Sequence, residues 1–138
     1  MRNSEVTKGA GKAGVRTSVV VAMACAAEFM VVMDASIIAV ATPTIGRDLQ
    51  LSPDALSWVV NAYVLLFAGG MLVGGRLGDL FGLRRVFVAA TVVFAVSSLA
   101  AGLAAEGWQL IAARAVQGLG GAALAPVSLA LISDALPE

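Results

Sequence analysis

Gly75-Arg76-Leu77-Gly78-Asp79-Leu80-Phe81-Gly82-Leu83-Arg84-Arg85 is the one stretch where several charges interrupt an otherwise almost continuously apolar sequence. Apolar segments lead into it and away from it, each near the ~20 residues that a helix needs to cross a bilayer. With glycines at 75, 78 and 82, the stretch reads as a tight polar turn between two membrane helices. Its three arginines predict a cytoplasmic location, because basic loops are retained on that side.

Composition supports the same reading. Of 138 residues, 59% are hydrophobic and only 13% charged, with a mean hydropathy of +0.92. Soluble domains carry about 25% charged residues, so the apolar excess points to lipid as the solvent. The net charge of zero argues against a nucleic-acid partner. Without histidine, and with Cys25 alone inside an apolar run, the chain cannot supply a disulfide, a zinc site or a catalytic thiol.

Outward from the turn, the chain divides into an all-α membrane protein with four transmembrane helices. Residues 1–16 form a basic tail, and 17–41 the first span, too long for the h-region of a signal peptide. Thr42-Pro43 is expected to end that span, and 42–56 form an external loop in which Ser52-Pro53-Asp54 resembles a helix start. The second span covers 57–74, with Trp58 and Tyr63 as interface anchors. After the 75–85 turn come a third span at 86–105, an external turn at 106–107 and a fourth span at 108–132. Residues 133–138 open a further cytoplasmic loop. Gly70 and Gly74 form a G-x-x-x-G pair suited to close helix approach, and Gly118 and Gly121 suit packing in the fourth span. Pro126 predicts a kink there.

Three motifs in order carry a resemblance to the major facilitator superfamily. The turn is similar to that family's G-x-L-(A/G)-D-x-x-G-x-(R/K)-(R/K) signature, through Gly75, Leu77, Gly78, Asp79, Gly82, Arg84 and Arg85. Arg114, Gln117, Gly118, Gly120 and Ala122 resemble its R-x-x-Q-G-x-G-x-A motif. Met33-Asp34-Ala35-Ser36-Ile37-Ile38-Ala39-Val40-Ala41-Thr42-Pro43 resembles the first helix of the drug:proton antiporter branch, and Trp58 to Tyr63 the second helix of its fourteen-spanner members. The resemblance implies a proton-coupled efflux antiporter working by alternating access in the plasma membrane. It implies no cofactor, a proton gradient being the energy source. Family members have two six-helix halves with substrate between them, so the chain reads as an N-terminal fragment whose partners include the missing C-terminal helices, the lipid bilayer and a drug-like small molecule.

Asp34 and Arg114 are paired by depth without help from the family. Asp34 lies about 10 Å inside the end of the first span at Ala41, and Arg114 about 9 Å inside the fourth at Trp108. An isolated charge there is costly, and opposite charges across a helix contact reduce that cost. One reading is a structural ion pair; the family favours a proton-coupling pair. Glu28 sits about 9 Å deeper and roughly 120° around the helix from Asp34, either as a substrate- or proton-binding acid or as a residue buried against a neighbour. Glu28, Asn61 and Gln117 are assigned to a substrate cavity, although Asn61 also suits interhelical hydrogen bonding. In the turn, Asp79 is placed to cap a helix N-terminus, while Arg84 and Arg85 offer donors. The family reading makes Gly75, Asp79, Gly82, Arg84 and Arg85 a gate loop; the plain reading is an ordinary basic loop.

Alternatives to the efflux antiporter are a self-contained four-helix exporter working as an oligomer, with Glu28 as shared acid, and a fragment without transport activity of its own. No nucleophile–base set supports an enzyme. Orientation is directly testable. Seven basic residues (Arg2, Lys8, Lys12, Arg16, Arg76, Arg84, Arg85) face Arg47 alone on the other side, so both termini should be cytoplasmic. Reporter fusions after Ser52 and after Gly107 should signal the exterior, and one after Gly82 the interior. An exterior signal at Gly82 reverses the topology.

Overall fold

The structure, a computed structural model, describes residues 2–136, with side-chain surroundings from Gly14 onward. Most of the expected tail at 1–16 therefore lies outside the side chains described. Among the described residues all regular structure is helical: α1 (Arg2–Asp48), α2 (Pro53–Phe81), α3 (Leu83–Gly102) and α4 (Gly107–Ala135). Within them, Gly14–Asp48, Pro53–Phe81, Leu83–Gly102 and Gly107–Ala135 are each long and apolar enough to span a membrane.

The helix bounds differ from those expected, for local reasons. Pro43 does not end α1, which continues to Asp48. Proline removes one helical N–H, but where lipid offers no replacement partners the helix remains the best way to satisfy the backbone. The Thr42 hydroxyl donates to the Ile38 carbonyl one turn back, supporting the stretch around the proline. Ser52 caps α2 by accepting from the Ala55 N–H at 3.2 Å, with Pro53 at the first helical position and Asp54 in the first turn. The 75–85 stretch is not an eleven-residue turn. Residues 75–81 complete α2, and Gly82 alone separates α2 from α3, at φ 92, with its N–H donating to the Gly78 carbonyl at 3.0 Å. That φ lies where only glycine sits without strain. Between α3 and α4 the connection is Leu103 to Glu106. There the Gln109 side chain accepts from the Ala105 and Glu106 N–H groups, closing the start of α4.

α4 is the hub. It packs closely along α2 and α3 and more sparingly on α1, while α1 and α3 barely touch. Its buried residues include Gly118, Gly120, Gly121 and Ala122. Small residues matter here because lipid tails are as apolar as leucine, so association depends on close van der Waals contact. Gly118 lies so close to α2 that a Cβ on it would sit 2.5 Å from the Tyr63 carbonyl oxygen. Gly74 of α2 meets α4 in the same way: a Cβ would fall 2.6 Å from the Ala122 carbonyl oxygen. That is the carbonyl which Pro126, lacking an N–H, cannot bond within α4. Gly70, one turn earlier, packs on the Ala122 methyl group. Around these contacts, Ala27, Val31, Tyr63, Phe87, Ala90, Phe94, Leu124 and Val127 form the apolar core, whereas Val40, Leu72, Leu80 and Leu103 point outward.

The two glycines at 69 and 74 make an internal control, since nothing lies within 4 Å of a Cβ on Gly69. Gly74→Ala should destabilise the bundle by about 1–3 kcal/mol through overpacking, read as a lower melting temperature in detergent. Gly69→Ala should melt with the parent or slightly above it, because alanine favours helix over glycine. Equal melting of both variants contradicts the α2–α4 contact.

Candidate functional site

Arg114 and Gln117 stand three residues apart on α4, so both project from one face of the helix toward α1 and α2. Arg114 is 2% exposed and is the bulkiest fully buried side chain among the described residues. Its Nη1 donates to Asp34 Oδ2 at 2.6 Å and to Gln117 Oε1 at 2.8 Å. Gln117 Nε2 in turn donates to Asp34 Oδ1 at 2.7 Å, which closes a ring of three side chains in which both carboxylate oxygens are held. Arg114 Nε points at the Val59 carbonyl, 3.4 Å away, and the guanidinium carbon lies 4.3 Å from the centre of the Tyr63 ring. Val59 and Tyr63 are one turn apart on α2, which is why a single arginine reaches both.

This arrangement answers the cost of burying charge. A buried ion pair is tolerated when its geometry is good and its remaining donors and acceptors are filled. Here charge-assisted bonds, a backbone carbonyl and the negative face of an aromatic ring surround one guanidinium. Arg114–Asp34 is the one ion pair found among the described residues. Asp34 keeps 14% of its side chain exposed, toward a cavity of about 380 Å³ between α1, α3 and α4 that also touches Ile38, Ser98 and Asp48. The cluster thus holds an acid that is both clamped and reachable.

Equal counting from helix ends is not what brings the pair together. With α1 ending at Asp48, Asp34 lies about 21 Å from that end, against about 10 Å from Arg114 to the start of α4. One other placement also differs from the sequence reading. Tyr63, expected as an interface anchor, is buried beneath Arg114, next to Phe67, whose ring stacks on it at 5.6 Å. Gln117, expected to border a substrate cavity, lines the cavity beside Asp34 and uses its carboxamide to hold Asp34 and Arg114. The Val59 carbonyl left no trace in the sequence, since any residue type could supply it.

The remaining candidates lie apart from this cluster. Asn61 is exposed and lines a cleft with Thr42, Ser57 and Val60 between α1 and α2. Glu28 is half-buried, and its Oε1 is fully buried without a hydrogen-bond partner among the described residues. At the α2–α3 junction, Asp79, Arg84 and Arg85 are exposed, Gly82 forms the break, and Gly75 lies against Pro126 of α4. Asp79 caps no helix N-terminus. It lies in the last turn of α2, while Arg84 and Arg85 lie in the first turn of α3. Each of these charges faces the wrong end of a helix dipole. No group of three or more metal-binding side chains occurs among the described residues.

The sequence profile of the Major Facilitator Superfamily matches residues 24–138. The chain is 45% identical to a cephamycin export protein of Amycolatopsis lactamdurans along its whole length, which is 28% of that relative. It is 43% identical to a puromycin resistance protein of Streptomyces alboniger over 82% of this chain and 22% of the relative. A tetracenomycin C resistance and export protein of Streptomyces glaucescens is 38% identical over 78% of this chain and 20% of its own length. The chain thus spans less than a third of each of these relatives. With four membrane-spanning helices and this profile, the chain is a multi-pass membrane protein that belongs to the major facilitator superfamily, a family of transporters.

Proposed function

We propose that the chain forms the first four helices of a carrier that exports drug-like small molecules in exchange for protons, with Asp34 as the proton site. The relatives named for cephamycin export, puromycin resistance and tetracenomycin C export support the substrate class. The observation that carries the proton site is the closed ring of Asp34, Arg114 and Gln117 between α1 and α4. No enzymatic role is proposed, and the energy source is the proton gradient across the cell membrane.

The chemistry follows from the ring. With Asp34 ionised, Arg114 and Gln117 each hold one of its oxygens, and α1 is tied to α4. A proton arriving from the adjoining cavity removes the negative charge that balances Arg114. It also turns an accepting oxygen into a hydroxyl that faces a donor. The tie between α1 and α4 weakens, while Arg114 keeps the Gln117 and Val59 oxygens and the Tyr63 ring. Protonation therefore biases a contact with two arrangements, which is what coupling a gradient to alternating access requires. At the α2–α3 junction, Asp79, Arg84 and Arg85 are left for partners elsewhere in the full-length protein, in keeping with a gate.

The test uses the full-length protein. Asp34→Asn should abolish pH-gradient-driven efflux while membrane abundance stays near that of the parent. Arg114→Ala should lower abundance, because removing one member of a buried pair costs about 3–5 kcal/mol. Asp34→Asn combined with Arg114→Gln removes both charges and should restore abundance without restoring efflux. Parental efflux by Asp34→Asn would make the pair a structural tie alone.

At the junction, Asp79→Asn should insert normally yet lower the efflux rate severalfold. An unchanged rate returns that stretch to a plain basic junction.

A further inference from the structure

The two arginines at the start of α3 turn to different neighbours. Arg85 lines a cavity beside Leu77 and Phe81 of α2, whereas Arg84 lines a cleft of about 440 Å³ between α1, α3 and α4. On the α1 wall of that cleft, Arg16, Val19, Val20 and Met23 follow one another at the spacing of a single helix face. Arg84, Phe87 and Val88 repeat the spacing on the α3 wall, and α4 contributes Leu131. Each wall thus carries one guanidinium at the same end, with only apolar side chains beyond it. The apolar part runs about 10 Å along α1, from Arg16 to Met23.

The surroundings of the cleft narrow what can fill it. α1 and α3 barely touch, and Val19, Met23 and Val88 are exposed, so the cleft opens sideways into the membrane. Arg16 and Arg84 stand near the ends of the membrane-spanning stretches of α1 and α3, at the level of lipid headgroups. Neither is paired with an acid among the described residues, and Asp134, one turn past Leu131 on α4, bridges to neither. Two cations facing each other above an apolar seam suit a phosphate that carries acyl chains. We infer that this cleft binds an anionic phospholipid of the adjoining leaflet. Arg16 and Arg84 hold its phosphate from opposite sides by charge-assisted hydrogen bonds, and one acyl chain lies between Met23 and Val88. Basic pockets between membrane helices hold lipid headgroups in this way. The lipid joins α1 to α3, which share almost no direct contact, and so secures at this end the helix that Asp34 secures further along. Its binding depends neither on transport nor on Asp34.

The test uses the full-length protein, purified in a neutral detergent and titrated separately with dioleoyl phosphatidylglycerol and dioleoyl phosphatidylcholine, with bound lipid counted by native mass spectrometry. One phosphatidylglycerol should bind in preference to phosphatidylcholine. Arg16→Gln and Arg84→Gln should each weaken it about fivefold, the effect of one basic contact to an anionic headgroup. Arg16→Lys and Arg84→Lys keep the charge and should retain most of the binding, which separates lost charge from lost folding. Arg85→Gln removes the same charge one residue away and should bind as the parent does, as should Asp34→Asn. Glycerophosphoglycerol, the headgroup without its chains, should not compete. A benzophenone side chain placed at position 88 should label phosphatidylglycerol. The inference is overturned if the two lipids bind alike, if Arg16→Gln and Arg84→Gln bind as the parent does, or if Arg85→Gln costs as much as they do. Competition by the free headgroup overturns it too, as does labelling from position 88 of a later segment of the protein in place of lipid.

Discussion

A guanidinium in the middle of a membrane bundle must find its compensation within the protein, and Arg114 draws it from three directions. Asp34 comes from α1, the Val59 carbonyl and the Tyr63 ring from α2, and Gln117 from the next turn of α4 itself. Each partner has a strict distance requirement, so meeting all of them sets how α1 and α2 approach α4. The lipid environment makes this constraint stronger than it would be in water, because a misplaced partner cannot be replaced by solvent.

That approach is possible only because α4 is built of small residues where α2 crosses it. Gly118 lets the Tyr63 backbone come close, and this places the Tyr63 ring under the guanidinium. Gly74 answers from the other helix, lying against the carbonyl that Pro126 leaves free. Packing and electrostatics are therefore not separate layers in this bundle. The glycines set the separation at which the ion-pair cluster can close.

The bundle is also unevenly held. α2 and α3 lie closely along α4, joined to one another by the single residue Gly82, whereas α1 is attached mainly to α4 and in part through Asp34. In the proposed cycle this asymmetry is useful. Three helices act as a firm body, and the helix whose attachment depends on a titratable group is the one left free to respond.

Four helices were legible in the sequence because apolar length and the scarcity of charge are local properties of the chain, and a bilayer admits few alternatives to a helix. The family was legible too, since its glycines, acids and arginines sit at fixed spacings around Gly75–Arg85, Asp34 and Arg114. The opposite charges of Asp34 and Arg114 also suggested a partnership, because an unpaired charge at that depth is so unfavourable. Helix ends were less legible: Pro43 and the 75–85 stretch carry breaker residues whose local preference was overridden by the need to keep the backbone bonded in lipid. What only the tertiary structure decided is the company of Arg114. Tyr63 changed from interface anchor to member of a buried cluster with Gln117, and the Val59 carbonyl joined them without any sequence mark. Side chains far apart in the chain meet only when α4 brings three helices to one point, and that convergence is a property of packing, which no local pattern of residues records.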